Sequence, residues 1–313
     1  MSEPQSNRGR RLAGAALRIA FVAAVIGFAI WSFRDDWDAI GAAIVATPWW
    51  ASAGAVLLMA AGVLLSVPMW TRLLRSARAP VPTRTASEVL LIGQLGKYLP
   101  GSVWTVAAQA RLLRPYGLRI RASVAVGLLY IGVYLAISLL LGSIVLLAGG
   151  NPWGIPWWVV ALVAAVCLLA LTPWFLGLAA RLVMGRAARF DLSWRGSAAI
   201  LGTMILSWAC WVTAPLLLAT RGGLTWAETA AVTAAALIGY AAGVVVIVAP
   251  AGFGVREAVF IAFLSPVVGL PDAVALAVTS RLAGVIADFA LAGAAWWSSR
   301  RERATPPAGP LAP

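Results

Sequence analysis

Two stretches of this chain, Thr47 to Met69 and Pro156 to Ala180, contain no charged residue. Each is longer than the ~20 apolar residues that carry a helix across ~30 Å of hydrocarbon. A backbone amide has no water to bond in that medium, so a spanning segment satisfies its own N–H and C=O groups by forming a helix. The remaining composition agrees. Hydrophobic residues make up 62% and charged residues 11%, against roughly 25% charged in a soluble domain. The expected fold is an all-α polytopic membrane protein. The first apolar stretch, Leu12 to Phe33, is too long for a signal peptide, and no convincing cleavage site follows it. Residues 12–298 read as one transmembrane domain between short polar tails at 1–11 and 299–313, with no soluble domain left over.

Charge distribution orients the chain. The net charge is +13, but its placement argues against a nucleic-acid partner. Nineteen of the 24 cations fall in five short segments: Arg8 to Arg18, Arg72 to Arg84, Arg111 to Arg121, Arg181 to Arg195, and Arg300 to Arg303. The segment after the first apolar stretch instead reads Arg34-Asp35-Asp36-Trp37-Asp38. This asymmetry places the five basic segments, and with them both termini, on the cytoplasmic side of a plasma membrane, beside anionic head groups. Most of the 16 Trp residues, such as Trp49-Trp50, Trp153, Trp157-Trp158 and Trp296-Trp297, sit at span ends as an aromatic belt. With no His and only Cys167 and Cys210, both inside apolar stretches, there is no metal-ligand cluster, disulfide framework or Ser-His or Cys-His nucleophile. No cofactor and no enzymatic activity are expected.

Two further apolar segments are interrupted by Pro and Gly and carry charge: Glu88 to Trp104 and Val248 to Ala258. A broken apolar helix strands backbone groups, and is tolerated where the break lines a cavity for something polar. In secondary transporters such paired breaks mark the substrate site. The segment from Ser87 starts and ends between two cytoplasmic basic loops, and its first arm, to Leu99, reaches only about 20 Å as a helix. It is expected to be a re-entrant hairpin with its tip at Pro100-Gly101. Full spans are expected at 12–33, 48–70, 122–148, 156–179, 196–219 and 273–297. Residues 226–270 then start and end outside, either as a second hairpin or as a pair of spans, since Thr225 to Val248 is long enough to cross. The hairpin reading gives about six full spans plus two re-entrant helical hairpins. Its half-repeats, about 12–149 and 150–298, are related by inverted topology, with both tips near the midplane.

The broken segments resemble the hallmark motifs of the lysylphosphatidylglycerol synthase transmembrane-domain family, also called flippase-like membrane proteins. Gly96-Lys-Tyr-Leu-Pro-Gly-Ser-Val-Trp104, followed by Arg111 and Gly117, resembles its first signature. Pro250-Ala-Gly-Phe-Gly-Val-Arg-Glu257 resembles its second. The likeness covers about residues 10 to 300. It implies a membrane module that binds or translocates lipid. In the best-known members this module moves an aminoacylated phospholipid made by a separate cytosolic catalytic domain. No stretch here reads as that domain, so a lipid-modifying partner would be a separate protein. Some relatives are linked to polyprenyl-lipid sugars. Many members carry an acidic residue in the helix after the first hairpin, where this chain has Tyr130 and Tyr134.

Together these readings nominate a site for an anionic lipid head group. Ser102 is a natural N-cap after Pro100-Gly101, and a second helix is expected at Val255 after Gly252 and Gly254. Both helix N-termini would favour an anion. Lys97 and Arg256 would add full positive charge. Glu257 is expected to meet Arg281, with Asp288 two turns along the same face, as an internal ion network that is either structural or a gating and proton-coupling device. Tyr98, Trp104, Arg111 and Pro250 complete the set. The alternatives are architectural: each Pro-Gly ends a helix at a membrane boundary, and Lys97 reaches to the interface. Two rival functions also stand. One is a polytopic glycosyltransferase using Asp35, Asp36 and Asp38 on a polyprenyl-phosphate sugar; the other is a non-transporting lipid-binding or scaffold subunit.

Overall fold

The computed structural model describes residues 37–79, 81–98, 103–148, 154–185, 189–219, 223–246 and 252–304. The described elements are all helical. They are α1 (Trp37–Val45), α2 (Trp49–Ser76), α3 (Thr83–Gly93), a 3-10 turn (Gln94–Tyr98), α4 (Val103–Leu113), a second 3-10 turn (Arg114–Tyr116), α5 (Ile120–Leu147), α6 (Trp157–Ala170), α7 (Pro173–Met184), α8 (Trp194–Leu218), α9 (Trp226–Val245), α10 (Val255–Val268) and α11 (Leu270–Ala304). Five of them, α2, α5, α8, α9 and α11, are long and apolar enough to cross a membrane, or six if α6 and α7 count as one broken span. The expected first span at 12–33 and both proposed hairpin tips, at Pro100-Gly101 and Pro250, lie outside the described residues.

Local chemistry accounts for several boundaries. Thr225 caps α9 by accepting the Glu228 N–H, and the Glu228 carboxylate accepts from the Thr225 N–H at 2.7 Å, a reciprocal capping box. Ser193 accepts from the Gly196 N–H to start α8. Thr172 caps α7 ahead of Pro173. That cap explains a departure from the sequence reading. The stretch 156–179 is not one straight span but two helices bent by 69°, because Pro173 has no N–H to continue α6 and is well placed to begin a new helix. Likewise, α11 runs on to Ala304, past the expected end of the domain at 298. Asp38 falls in the first turn of α1, where a carboxylate complements the helix dipole.

The centre of the bundle is the long contact of α2 with α8. It is close because a side chain at Gly62 would collide with Trp211 and come within 3.1 Å of the Ser207 carbonyl. Small residues of this kind let apolar helices approach where hydrophobic burial adds nothing. Hydroxyls join the layer laterally. Ser207 donates to the Gly62 carbonyl at 2.7 Å and bonds Tyr134 at 3.0 Å, while Ser66 bonds Tyr130 at 2.8 Å. Around this pair the contacts are reciprocal: α5 packs on α9 and α4, and α11 packs on α3 and α10.

Each broken segment folds back on itself through glycine. A Cβ on Gly96 would lie 2.6 Å from the Thr105 nitrogen, and one on Gly252 would lie 2.7 Å from the Gly243 Cα. Gly252 also has φ +71°, a left-handed conformation that suits glycine. The helix α9 is long enough to span, but α10, with 14 residues, reaches only about 21 Å.

Three of the five basic segments, those at 72–84, at 181–195 and at the end of α11, are joined by contacts at one end of the bundle. The Asp191 N–H donates to the Ser76 carbonyl at 2.9 Å, and Arg78 forks onto the Asp191 carboxylate at 3.0 and 2.7 Å. Nearby segments follow the same pattern. Arg84 meets Glu88 at 3.3 Å, and Ser298 donates to Glu88 at 3.3 Å, tying the start of α3 to the far end of α11.

The glycine contacts make a stability prediction. Gly252→Val adds both backbone strain and overpacking, each of which costs about 1–3 kcal/mol. It should lower the unfolding temperature in detergent by many degrees, whereas Gly132→Ala, where a Cβ meets nothing within 4 Å, should not. Equal melting of the two variants would show that the arms of the second broken segment are not in close contact.

Candidate functional site

Five of the residues that the sequence singled out, Lys97, Tyr98, Glu257, Arg281 and Asp288, meet along one face of α11. Lys97, at the end of the first 3-10 turn, forms a 2.6 Å ion pair with Asp288, and the Tyr98 hydroxyl donates to the same carboxylate oxygen at 2.6 Å. The Tyr98 ring leans on Phe289 with centroids 5.4 Å apart. Two turns earlier, Arg281 meets Glu257 from α10 at 3.3 Å, the pair expected from sequence. Both broken segments are thus fastened to α11. Through α11 the two segments are brought into one electrostatic neighbourhood.

The helix N-terminus of α10 differs from expectation. Glu257 turns back, and its other carboxylate oxygen accepts the Gly254 N–H at 2.7 Å. The protein's own carboxylate therefore occupies the position that an external anion was expected to take. Lys97 is similarly engaged by Asp288, and also reaches the Gln94 side-chain carbonyl at 3.4 Å. The cluster holds three cations, Lys97, Arg256 and Arg281, against two carboxylates. The cation left over is Arg256. Among the described residues its guanidinium has no carboxylate partner and lies over the rings of Trp211 at 5.6 Å and Tyr240 at 5.8 Å. Those ring faces offset part of the cost of burying a charge while leaving its N–H donors available.

The environment of Arg256 is one that sequence reasoning missed. Tyr240, Trp208 and Tyr134 form a continuous aromatic cluster, with centroids 4.9 to 5.4 Å apart, extended by Tyr130 and Trp70. Trp70 and Trp208 are essentially buried, unlike the exposed Trp49, Trp157 and Trp297 of the belt. The available signal was position: Trp208 and Trp211 fall in mid-span, one turn apart, where an interfacial residue has no reason to be. Tyr130 and Tyr134, noted as replacing an acidic residue, prove to be the middle of this cluster. Within this cluster the indole nitrogens of Trp70, Trp208 and Trp211 are buried without a hydrogen-bond partner among the described residues; elsewhere the same holds for the side-chain nitrogens of Gln94 and Gln109 and for one oxygen of Asp288.

Other nominated residues stand apart. Arg111 is exposed in the last turn of α4 and joins none of the described contacts of the cluster. Trp104 is half exposed, and its backbone packs on Gly96. Gly252 and Gly254, both with positive φ, form the turn into α10, with Gly252 packed on Gly243. Pro100, Gly101, Ser102 and Pro250 lie outside the described residues. Among the described residues there is no group of His, Cys, Asp and Glu able to hold a metal ion.

Compared with known families, residues 15–292 match the model described as the lysylphosphatidylglycerol synthase TM region. No curated protein matches the chain.

The Lys97–Asp288 bond should behave as a buried ion pair. The carboxylate is 3% exposed and the ammonium 30%, so Lys97→Met alone strands a buried charge. The cost should approach the ~3–5 kcal/mol of a broken buried pair. Pairing Lys97→Met with Asp288→Leu should recover most of that loss in thermal unfolding. Strict additivity of the two substitutions would show that the contact carries no coupling.

Proposed function

The chain belongs to the lysylphosphatidylglycerol synthase transmembrane-region family, and on that footing we propose that it binds and translocates an anionic lipid across the plasma membrane. The observation that carries the reading is Arg256. It is a cation within the apolar part of the chain, held by ring faces rather than by a carboxylate. Intramembrane charge of this kind is functional by default. A lipid phosphate, from a phospholipid or a polyprenyl phosphate, supplies the missing anion, and the guanidinium binds it with charge-assisted bonds.

The neighbouring pairs have a supporting role. Asp288 and Glu257 neutralise Lys97 and Arg281, so the field of the cluster is left close to a single positive charge, suited to one phosphate. Moving a head group through the bilayer requires a path that is polar but not strongly retentive, and a lone arginine among tyrosines and tryptophans meets both conditions. The reciprocal packing of α5 on α9 and α11 on α3 supports an internal inverted repeat with its two broken segments facing. The meeting of three basic segments at one end supports a cytoplasmic placement of that end, and with it of the C-terminus. The sequence carries no nucleotide-binding motif, so transport in this reading runs downhill, is coupled to an ion, or depends on a partner. The protein itself makes no covalent change in the lipid.

The test uses the full chain reconstituted in vesicles, with fluorescent phosphatidylglycerol flipping and native mass spectrometry of retained lipid as paired readouts. Arg256→Gln keeps a polar side chain but loses the charge, and should weaken both readouts about as severely as Arg256→Leu, since charge-assisted bonds are worth about 1.5–3 kcal/mol. Arg300→Gln, near the end of α11, should leave both unchanged. Equal flipping and retention in all three variants would remove Arg256 from any lipid site.

A further inference from the structure

A second feature lies away from the site on α11, at the end of the bundle where the basic segments at 72–84 and 181–195 meet. A cavity of about 580 Å³ opens between α7 and the segment Phe190–Ser193. One wall is a single stripe of α7, Trp174, Gly177, Leu178 and Arg181, at the i, i+3, i+4 and i+7 spacing that shares a helix face. The apolar residues occupy its first turns and the cation its last, so the groove grades from greasy to charged over about 10 Å. Gly177 is buried, yet a Cβ placed on it would meet nothing within 4 Å. The space beside it is therefore unfilled by protein.

Charge distinguishes this groove from an ordinary crevice between helices. Asp191 lines it, but its carboxylate is already taken by the forked bond from Arg78. Arg181 has no partner among the described residues. Arg189 and Arg195 are exposed on either side of that segment, and the start of α8 after Ser193 adds a favourable helix dipole for an anion. The outer faces of α7 carry exposed Phe175 and Leu182, as expected for a helix beside lipid. We propose that this groove is a docking site for an anionic phospholipid, distinct from Arg256, with the phosphate on Arg181 and acyl carbon against Leu178 and Trp174. The match is one of both polarity and shape. A free phosphate would leave the apolar part of the groove empty, and a zwitterionic lipid would bring its own cation to Arg181.

The experiment is done in the Arg256→Gln background, so that loss of the site near α11 cannot imitate loss of this one. Native mass spectrometry of the full chain in mixed phosphatidylglycerol and phosphatidylcholine should show retained phosphatidylglycerol. Adding Arg181→Gln should reduce that retention about tenfold, the change expected when a charge-assisted contact is removed. Gly177→Leu, whose Cβ would meet no protein atom within 4 Å, should also reduce it while leaving the unfolding temperature equal or higher. Millimolar inorganic phosphate should not displace the lipid. Three results would overturn the assignment: retention unmoved by both substitutions, equal retention of phosphatidylcholine, or displacement by inorganic phosphate.

Discussion

Both broken segments of this protein are tied to α11 by ion pairs, and the rest of the site follows from that arrangement. In a medium that cannot solvate charge, an unpaired ammonium or carboxylate is costly, and the attraction of an opposite charge is correspondingly large. Lys97 with Asp288, and Glu257 with Arg281, therefore fix where the two breaks sit along α11. The glycine contacts at Gly96 and Gly252 allow each segment to fold tightly enough to present those side chains. The hydrogen bond from Tyr98 to Asp288 adds direction to what would otherwise be a point-charge contact.

This pairing also selects what remains. Once two cations are neutralised and the α10 N-terminus is capped by Glu257, the cation without a carboxylate partner among the described residues is Arg256, set against its aromatic neighbours. A ring face stabilises a guanidinium less than a carboxylate does, so Arg256 keeps a preference for a stronger anion. Its setting differs from that of Lys97 although both entered as intramembrane cations. One is paired with a carboxylate and the other is packed against ring faces.

Much of the fold was legible from residue order. Charge-free runs announced α2 and the α6–α7 segment, and the two Pro-Gly interruptions announced breaks that the structure bears out as the 3-10 turn at Gln94–Tyr98 and the start of α10 at Val255. The contact between Glu257 and Arg281 was also readable, since few opposite charges exist in this part of the chain. The bend at Thr172-Pro173 was missed because hydropathy alone is continuous through it. The local signal, a Thr cap followed by Pro, was present but weaker than the apolar run. The aromatic cluster was missed because Trp at span ends is common enough to hide Trp208 and Trp211 in mid-span.

By itself, the sequence determined that this chain lies in a membrane, where two of its apolar segments break, and which charged residues are stranded in apolar surroundings. Those properties depend on composition and on spacing along a few turns. Which stranded charges are neutralised, and which one is left, was decided only by the tertiary structure. Tyr98 and Asp288 are 190 residues apart, and no local pattern says that α11 will carry Asp288 to the first break rather than to the second. Helix packing makes that choice through close contacts such as Gly62 against α8. The electrostatics of the site is a consequence of it.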